Sequence, residues 1–159
     1  MRKPLRSRAW IRGLQAMLAL AALMAAAPAG AQTPALVNAV SPGVTIGPAH
    51  PAVTVPVNIS RDNTSKMLGF SVRIQLSPEF AALNTGSDVA LGNFLTDGGR
   101  ATQLQVVDNG GGLYTVDGVT LGASCGPTTQ TGTLFTVTLH SSAPSGTGTV
   151  SVQSVTLRD

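Results

Sequence analysis

Residue types that carry chemistry are scarce in this chain. Its 159 residues include one cysteine (Cys125), two histidines (His50 and His140), one tryptophan and one tyrosine. A protein zinc site takes about four nitrogen or sulfur ligands, and two isolated histidines with a single thiol do not supply them. No serine lies in a nucleophile-elbow pattern. The carboxylates that might pair across a cleft are Glu79, Asp88, Asp97, Asp108 and Asp117. Nearly all of them stand beside glycine or at a strand end, where aspartate shapes turns. Asp97-Gly98-Gly99 and Asp108-Asn109-Gly110 could offer oxygens to calcium, but neither has the alternating acidic spacing of a dedicated loop. Hairpin turns are the simpler reading. The expectation is a protein that is not an enzyme and carries no cofactor and no metal.

Aromatic residues and clustered positive charge are equally thin. The one tryptophan, Trp10, lies near the N-terminus, and the aromatics beyond it are Tyr114, Phe70, Phe80, Phe94 and Phe135. Flat polysaccharides are gripped by exposed rings, and a core would claim most of these. The formal charge of +3 points toward nucleic acid only until its location is examined. Arg2, Lys3, Arg6, Arg8 and Arg12 precede an apolar run from Leu14 to Ala27, which ends at Pro28-Ala29-Gly30-Ala31. A basic head, an apolar middle and small residues at 29 and 31 define a secretory signal peptide over residues 1–31, cleaved after Ala31. The run falls short of the roughly 20 residues that span a bilayer, so it is not read as an anchor. Removing it leaves five basic against seven acidic residues, a net charge of −2. Arg61, Lys66, Arg73, Arg100 and Arg158 are scattered, which excludes a nucleic-acid stripe. The exported product is expected to be secreted or held at the cell surface, without a membrane span.

What the chain has in quantity is valine, threonine, glycine, serine and leucine. That composition favours strands and tight turns, and about 128 residues suffice for one domain, 32–159, with one core. Strands are expected at Leu36–Val40, Val44–Ile46, Val53–Ile59, Leu68–Leu76, Asp88–Leu91, Thr102–Val107, Leu113–Leu121, Thr133–His140 and Thr149–Leu157. Phe70, Val72, Ile74 and Leu76 alternate with Ser71, Arg73, Gln75 and Ser77, the period of a strand with one face dry. Pro56 sits on the outward row of the preceding strand and lacks the N–H that a ladder needs, which predicts an edge or a bulge there. Pro78 after Ser77 predicts one short helical turn over Pro78–Leu83. Turn signals separate the remaining runs. The fold class is all-β: an antiparallel β-sandwich with jelly-roll topology and about nine strands.

Three segments in order carry a family likeness. Val53-Thr54-Val55-Pro56-Val57-Asn58, Val72 to Pro78, and Gly132-Thr133-Leu134-Phe135-Thr136-Val137 together resemble the cohesin domain, the jelly-roll module that binds dockerins in cellulosomes. Leu76 and Ser77 depart from the Tyr-Asp that the family usually has before the proline. The resemblance implies a non-catalytic module for protein–protein interaction, with a dockerin-like or other surface protein as partner. It also implies that the partner lies across a sheet containing the strand Leu68–Leu76, which nominates Ser71, Arg73 and Gln75. A carbohydrate-binding module of similar fold and a purely structural domain of a larger surface protein are the alternatives.

Cys125 is a lone thiol in a chain bound for an oxidising compartment. Either it is buried and free, or the chain continues past Asp159 and supplies a second cysteine for a disulfide.

Overall fold

The computed structural model describes residues 35–43, 46–47, 50–122, 126–142 and 147–159. The leader and Cys125, with the calls made on them, lie outside the described residues. Eight strands form among those that are described: β1 (Leu36–Ala39), β2 (Ala52–Ser60), β3 (Gly69–Leu76), β4 (Val89–Leu91), β5 (Thr102–Asp108), β6 (Leu113–Thr120), β7 (Thr131–His140) and β8 (Val150–Arg158). They make two four-stranded sheets, ordered β1-β2-β7-β4 and β5-β6-β3-β8. Every pairing is antiparallel.

Alternation puts the core where the sequence places it. Val55, Val57 and Ile59 from β2 meet Phe70, Val72, Ile74 and Leu76 from β3, with Tyr114 and Val116 from β6 and Val137 and Leu139 from β7. The Phe70 and Phe135 rings stack across the sheets, with centroids 5.8 Å apart. Gly118 on β6 makes room for that stack, because a Cβ there would come within 2.5 Å of the Phe70 ring.

Pro56 behaves as its chemistry requires. β2 is an interior strand, yet β1 ends opposite Val57, so a missing N–H at Pro56 breaks no ladder. The Pro56 carbonyl still accepts the Val40 N–H at 2.9 Å. The register between β2 and β7 then slips between Val57 and Asn58. The extra residue is Leu134, and the slip lets consecutive Leu134 and Phe135 both be buried.

Eight strands among the described residues accord with the expected sandwich of about nine. The strand expected at Val44–Ile46 falls mostly outside the described residues, and Ile46 itself is buried beside a lone bridge between Gly47 and His50. One expectation needs correction: residues 78–83 form no helix. The Phe80 N–H closes a tight turn on Ser77, and the Ala81 N–H is spent on the His140 carbonyl at 2.8 Å. Pairing with the end of β7 therefore outcompetes the helical bond that Pro78 would have started. A one-turn helix occurs elsewhere, α1 (Asn93–Thr96), which buries Phe94 and Leu95.

Among the described residues one charged side chain is buried. Arg61, just after β2, is 4% exposed. Its Nε donates to the Thr129 carbonyl at 2.9 Å, its Nη1 to the Ser65 carbonyl at 2.7 Å and to Asn63 Oδ1 at 3.2 Å, and its Nη2 to the Pro127 carbonyl at 2.9 Å. The guanidinium also lies 5.4 Å from the Phe94 ring centroid. Burial lowers its pKa, and the Asp159 carboxylate opposes that shift. The residue clasps the loop after β2 to the segment leading into β7.

Candidate functional site

β3 lies between β6 and β8, so the side chains on its outward face occupy the middle of the β5-β6-β3-β8 sheet. Cross-strand register assigns their neighbours. Ser71 stands between Asp117 on β6 and Thr156 on β8; Arg73 between Thr115 and Ser154; Gln75 between Leu113 and Ser151. One strand further, Gln105 pairs with Asp117 and Val107 with Thr115. The result is a mixed face: hydroxyls and amides with Arg73, Arg158 and Asp117, and the exposed valines Val107 and Val119.

The structure brings Ser71, Arg73 and Gln75 together but separates their roles. Arg73 is exposed, and among the described residues neither Arg73 nor Ser71 has a side-chain hydrogen-bond or ion-pair partner. Asp117 is one register step from Arg73, a diagonal of roughly 7–8 Å between strands. Gln75 is already engaged. Its Nε2 donates to the Gly111 carbonyl at 2.8 Å and to the Leu76 carbonyl at 3.0 Å, which fastens the turn between β5 and β6. That turn needs glycine, since Gly110, Gly111 and Gly112 all have positive φ. Thr115 is likewise used, its Oγ1 accepting from Asn109 Nδ2 at 2.9 Å.

The groups considered for chemistry take structural positions. Asp108 Oδ1 accepts the Gly110 N–H at 2.8 Å, an aspartate-led turn. Asp97 begins the turn through Gly98 and Gly99, and its carbonyl accepts from Arg100 Nη1. His140 Nε2 lies 3.7 Å from Asp88 Oδ1. The Asp88 carboxylate also takes the Asn84 N–H at 2.8 Å and the Ser87 hydroxyl at 3.2 Å, so it organises its own loop. Among the described residues no group of three or more His, Cys, Asp or Glu could hold a metal ion. No helix among them is long and apolar enough to cross a membrane.

Among the described residues the aromatic rings are largely withheld from the surface. Phe70, Phe94, Phe135 and Tyr114 are at most 2% exposed. Phe80 is half-buried beside a cavity of about 370 Å³ lined by Ile46, Val53, Val55, Leu139 and Val150, with Glu79 at its side. Glu79 has its pKa lowered because the Ser77 hydroxyl and its own backbone N–H both donate to the carboxylate.

Comparison with solved structures gives the architecture a class: this is a cohesin-like fold. The chain is similar to a non-cellulosomal cohesin from the hyperthermophilic archaeon Archaeoglobus fulgidus, at 19% identity over 80% of this chain and 79% of that one, TM-score 0.56. It is similar to the second type II cohesin module of the cellulosomal adaptor ScaA scaffoldin of Acetivibrio cellulolyticus, at 18% identity over 80% and 85%, TM-score 0.55. A third likeness is to a type II cohesin–X-dockerin complex of the same organism, at 18% identity over 76% and 83%, TM-score 0.56. No family model matches the chain, and no curated protein matches it.

Proposed function

We propose that this chain is a secreted, non-catalytic cohesin-like module that binds another protein across the outward face of the β5-β6-β3-β8 sheet. The observation that supports this most directly is Arg73: a guanidinium on a central strand, exposed, with no partner among the described residues beside hydroxyls and amides. A fold shared with cohesins, one of them solved together with an X-dockerin, supports a protein as the partner class. The face carries both polar side chains and the exposed Val107 and Val119, so direct hydrogen bonds, bridging waters and apolar contact together supply its specificity.

The polysaccharide alternative is less supported, because the aromatic side chains among the described residues are in the core or beside the cavity rather than on a stacking platform. The test follows from the division of roles on β3. Ser71→Ala with Arg73→Glu changes the two unengaged side chains and spares Gln75, whose loss would also loosen the Gly110–Gly112 turn. The purified protein should capture a defined partner from the secreted proteins of the same organism, and the double variant should lose it with unchanged thermal stability. Equal capture by the double variant rejects this face. Retention of the protein on insoluble cellulose or chitin would reject the protein-binding reading in favour of carbohydrate.

A further inference from the structure

A cavity of about 370 Å³ sits at the end of the sandwich where β1, β3 and β7 finish and β2 and β8 begin. Among the described residues Val53, Val55, Phe80, Leu139 and Val150 line it, together with serines, threonines and Glu79. Val55 and Leu139 are buried, whereas Val53, Phe80 and Val150 pack against the core and stay partly exposed. Val150 pairs with Leu76, so the cavity is on the core side of its sheet. It therefore stands whether or not the outward face around Ser71 and Arg73 binds a partner.

Main-chain contacts hold the walls of this cavity. The Ser77 N–H donates to the Thr149 carbonyl at 3.1 Å, and the Ala81 N–H to the His140 carbonyl at 2.8 Å. Gly148 lies against the Phe80 ring, where a Cβ would come within 2.3 Å of it. The space is thus built into the fold, and it is more than twice the roughly 150 Å³ of an apolar cavity that takes benzene.

The charge at this site has no counterion. Glu79 is exposed, and among the described residues no cation forms an ion pair with it. Ser77 Oγ accepts the Thr149 N–H at 2.8 Å while its hydroxyl donates to the Glu79 carboxylate, which sets that carboxylate beside the cavity wall at Thr149. Its pKa is lowered by hydrogen bonds alone, so it is ionised at neutral pH. A buried apolar floor with an anionic, solvent-facing side suits a molecule that enters tail first and leaves a cation outside. A carboxylate in place of that cation would be repelled, and a lysine side chain would carry its charge into the apolar end.

We infer that this cavity binds a small unbranched aliphatic amine, its chain against Val53, Val55 and Leu139 and its ammonium at Glu79. Titrating the purified protein with hexylammonium, 1-hexanol and hexanoate at one ionic strength, followed by amide NMR, reads the site directly. Hexylammonium should give saturable shifts at Val53, Phe80, Thr149 and Val150. It should bind about 2- to 5-fold tighter than hexanol, the range of an exposed ion pair, with hexanoate weakest. Glu79→Gln should bring hexylammonium down to the level of hexanol, and Val53→Phe, which fills the cavity, should weaken all three. Nα-acetyl-lysine methylamide, with its charge at the tip of the chain, should bind more weakly than hexylammonium. Hexylammonium shifts that never saturate, or that fall on the outward face of β3, overturn the inference. So does hexanoate or the lysine amide binding as tightly as hexylammonium, or a Glu79→Gln protein that keeps the preference for the amine.

Discussion

Replacing Arg61 by methionine tests whether a buried cation, rather than apolar packing alone, ties the two loops at this end of the sandwich. Methionine keeps the unbranched stem and the cover over Phe94 but removes every donor. Three backbone carbonyls, of Thr129, Ser65 and Pro127, lose a charged partner at 2.7–2.9 Å. Hydrogen bonds to charged groups are worth roughly 1.5–3 kcal/mol each, so a simple sum reaches about 5–9 kcal/mol. That sum is too large, because methionine also avoids the cost of stripping water from a guanidinium, a cost visible in the downward shift of the Arg61 pKa. Water can reach part of the loops once the side chain is gone. The net expectation is a loss of about 3 kcal/mol, which at a slope of roughly 1–3 kcal/mol per molar moves the urea midpoint down by about 1–3 M.

Arg61→Lys is the informative control. An ammonium keeps the charge and can lie over the Phe94 ring, but a single nitrogen cannot serve carbonyls that approach Nε, Nη1 and Nη2 from different directions. It should recover less than half of the loss. A methionine variant within about 1 kcal/mol of wild type, or a lysine variant equal to it, would refute the account, since packing or charge alone would then suffice.

The strands were legible because period-two alternation is a local property: Phe70, Val72, Ile74 and Leu76 announce their burial without reference to any other segment. What was illegible depends on partners far away in sequence. Proline after serine is a sound local helix signal at Pro78, but it loses to one long-range bond between Ala81 and His140. The buried pair Leu134-Phe135 breaks alternation, and its cause is a register slip against β2 that no local pattern contains. The proposed binding face divides in the same way. Outward orientation of Ser71, Arg73 and Gln75 followed from period alone, whereas the engagement of Gln75 by Gly111 depends on how a distant turn folds back. Arg61 looked like one of several scattered basic residues, and its burial arises only when the loops around it meet.

Three further substitutions probe the same reasoning. Gly118→Ala should destabilise the fold by about 1–3 kcal/mol in chemical denaturation, because its Cβ would press on the Phe70 ring stacked on Phe135; an unchanged midpoint would show that the ring can yield. Tyr114→Phe removes the buried hydroxyl that accepts the Leu83 N–H at 3.0 Å and should cost about 1–3 kcal/mol, with faster hydrogen exchange at Leu83. Glu79→Gln should alter the pH dependence of stability rather than its value in acid. A carboxyl whose folded pKa is lowered, here by the Ser77 hydroxyl and its own N–H, contributes stability above its unfolded pKa, and that contribution fades as pH falls through the folded value. Wild type and variant should therefore differ at neutral pH and converge in acid. The same difference at both pH values would mean that the amide disturbs the turn by shape and that ionisation of Glu79 plays no part.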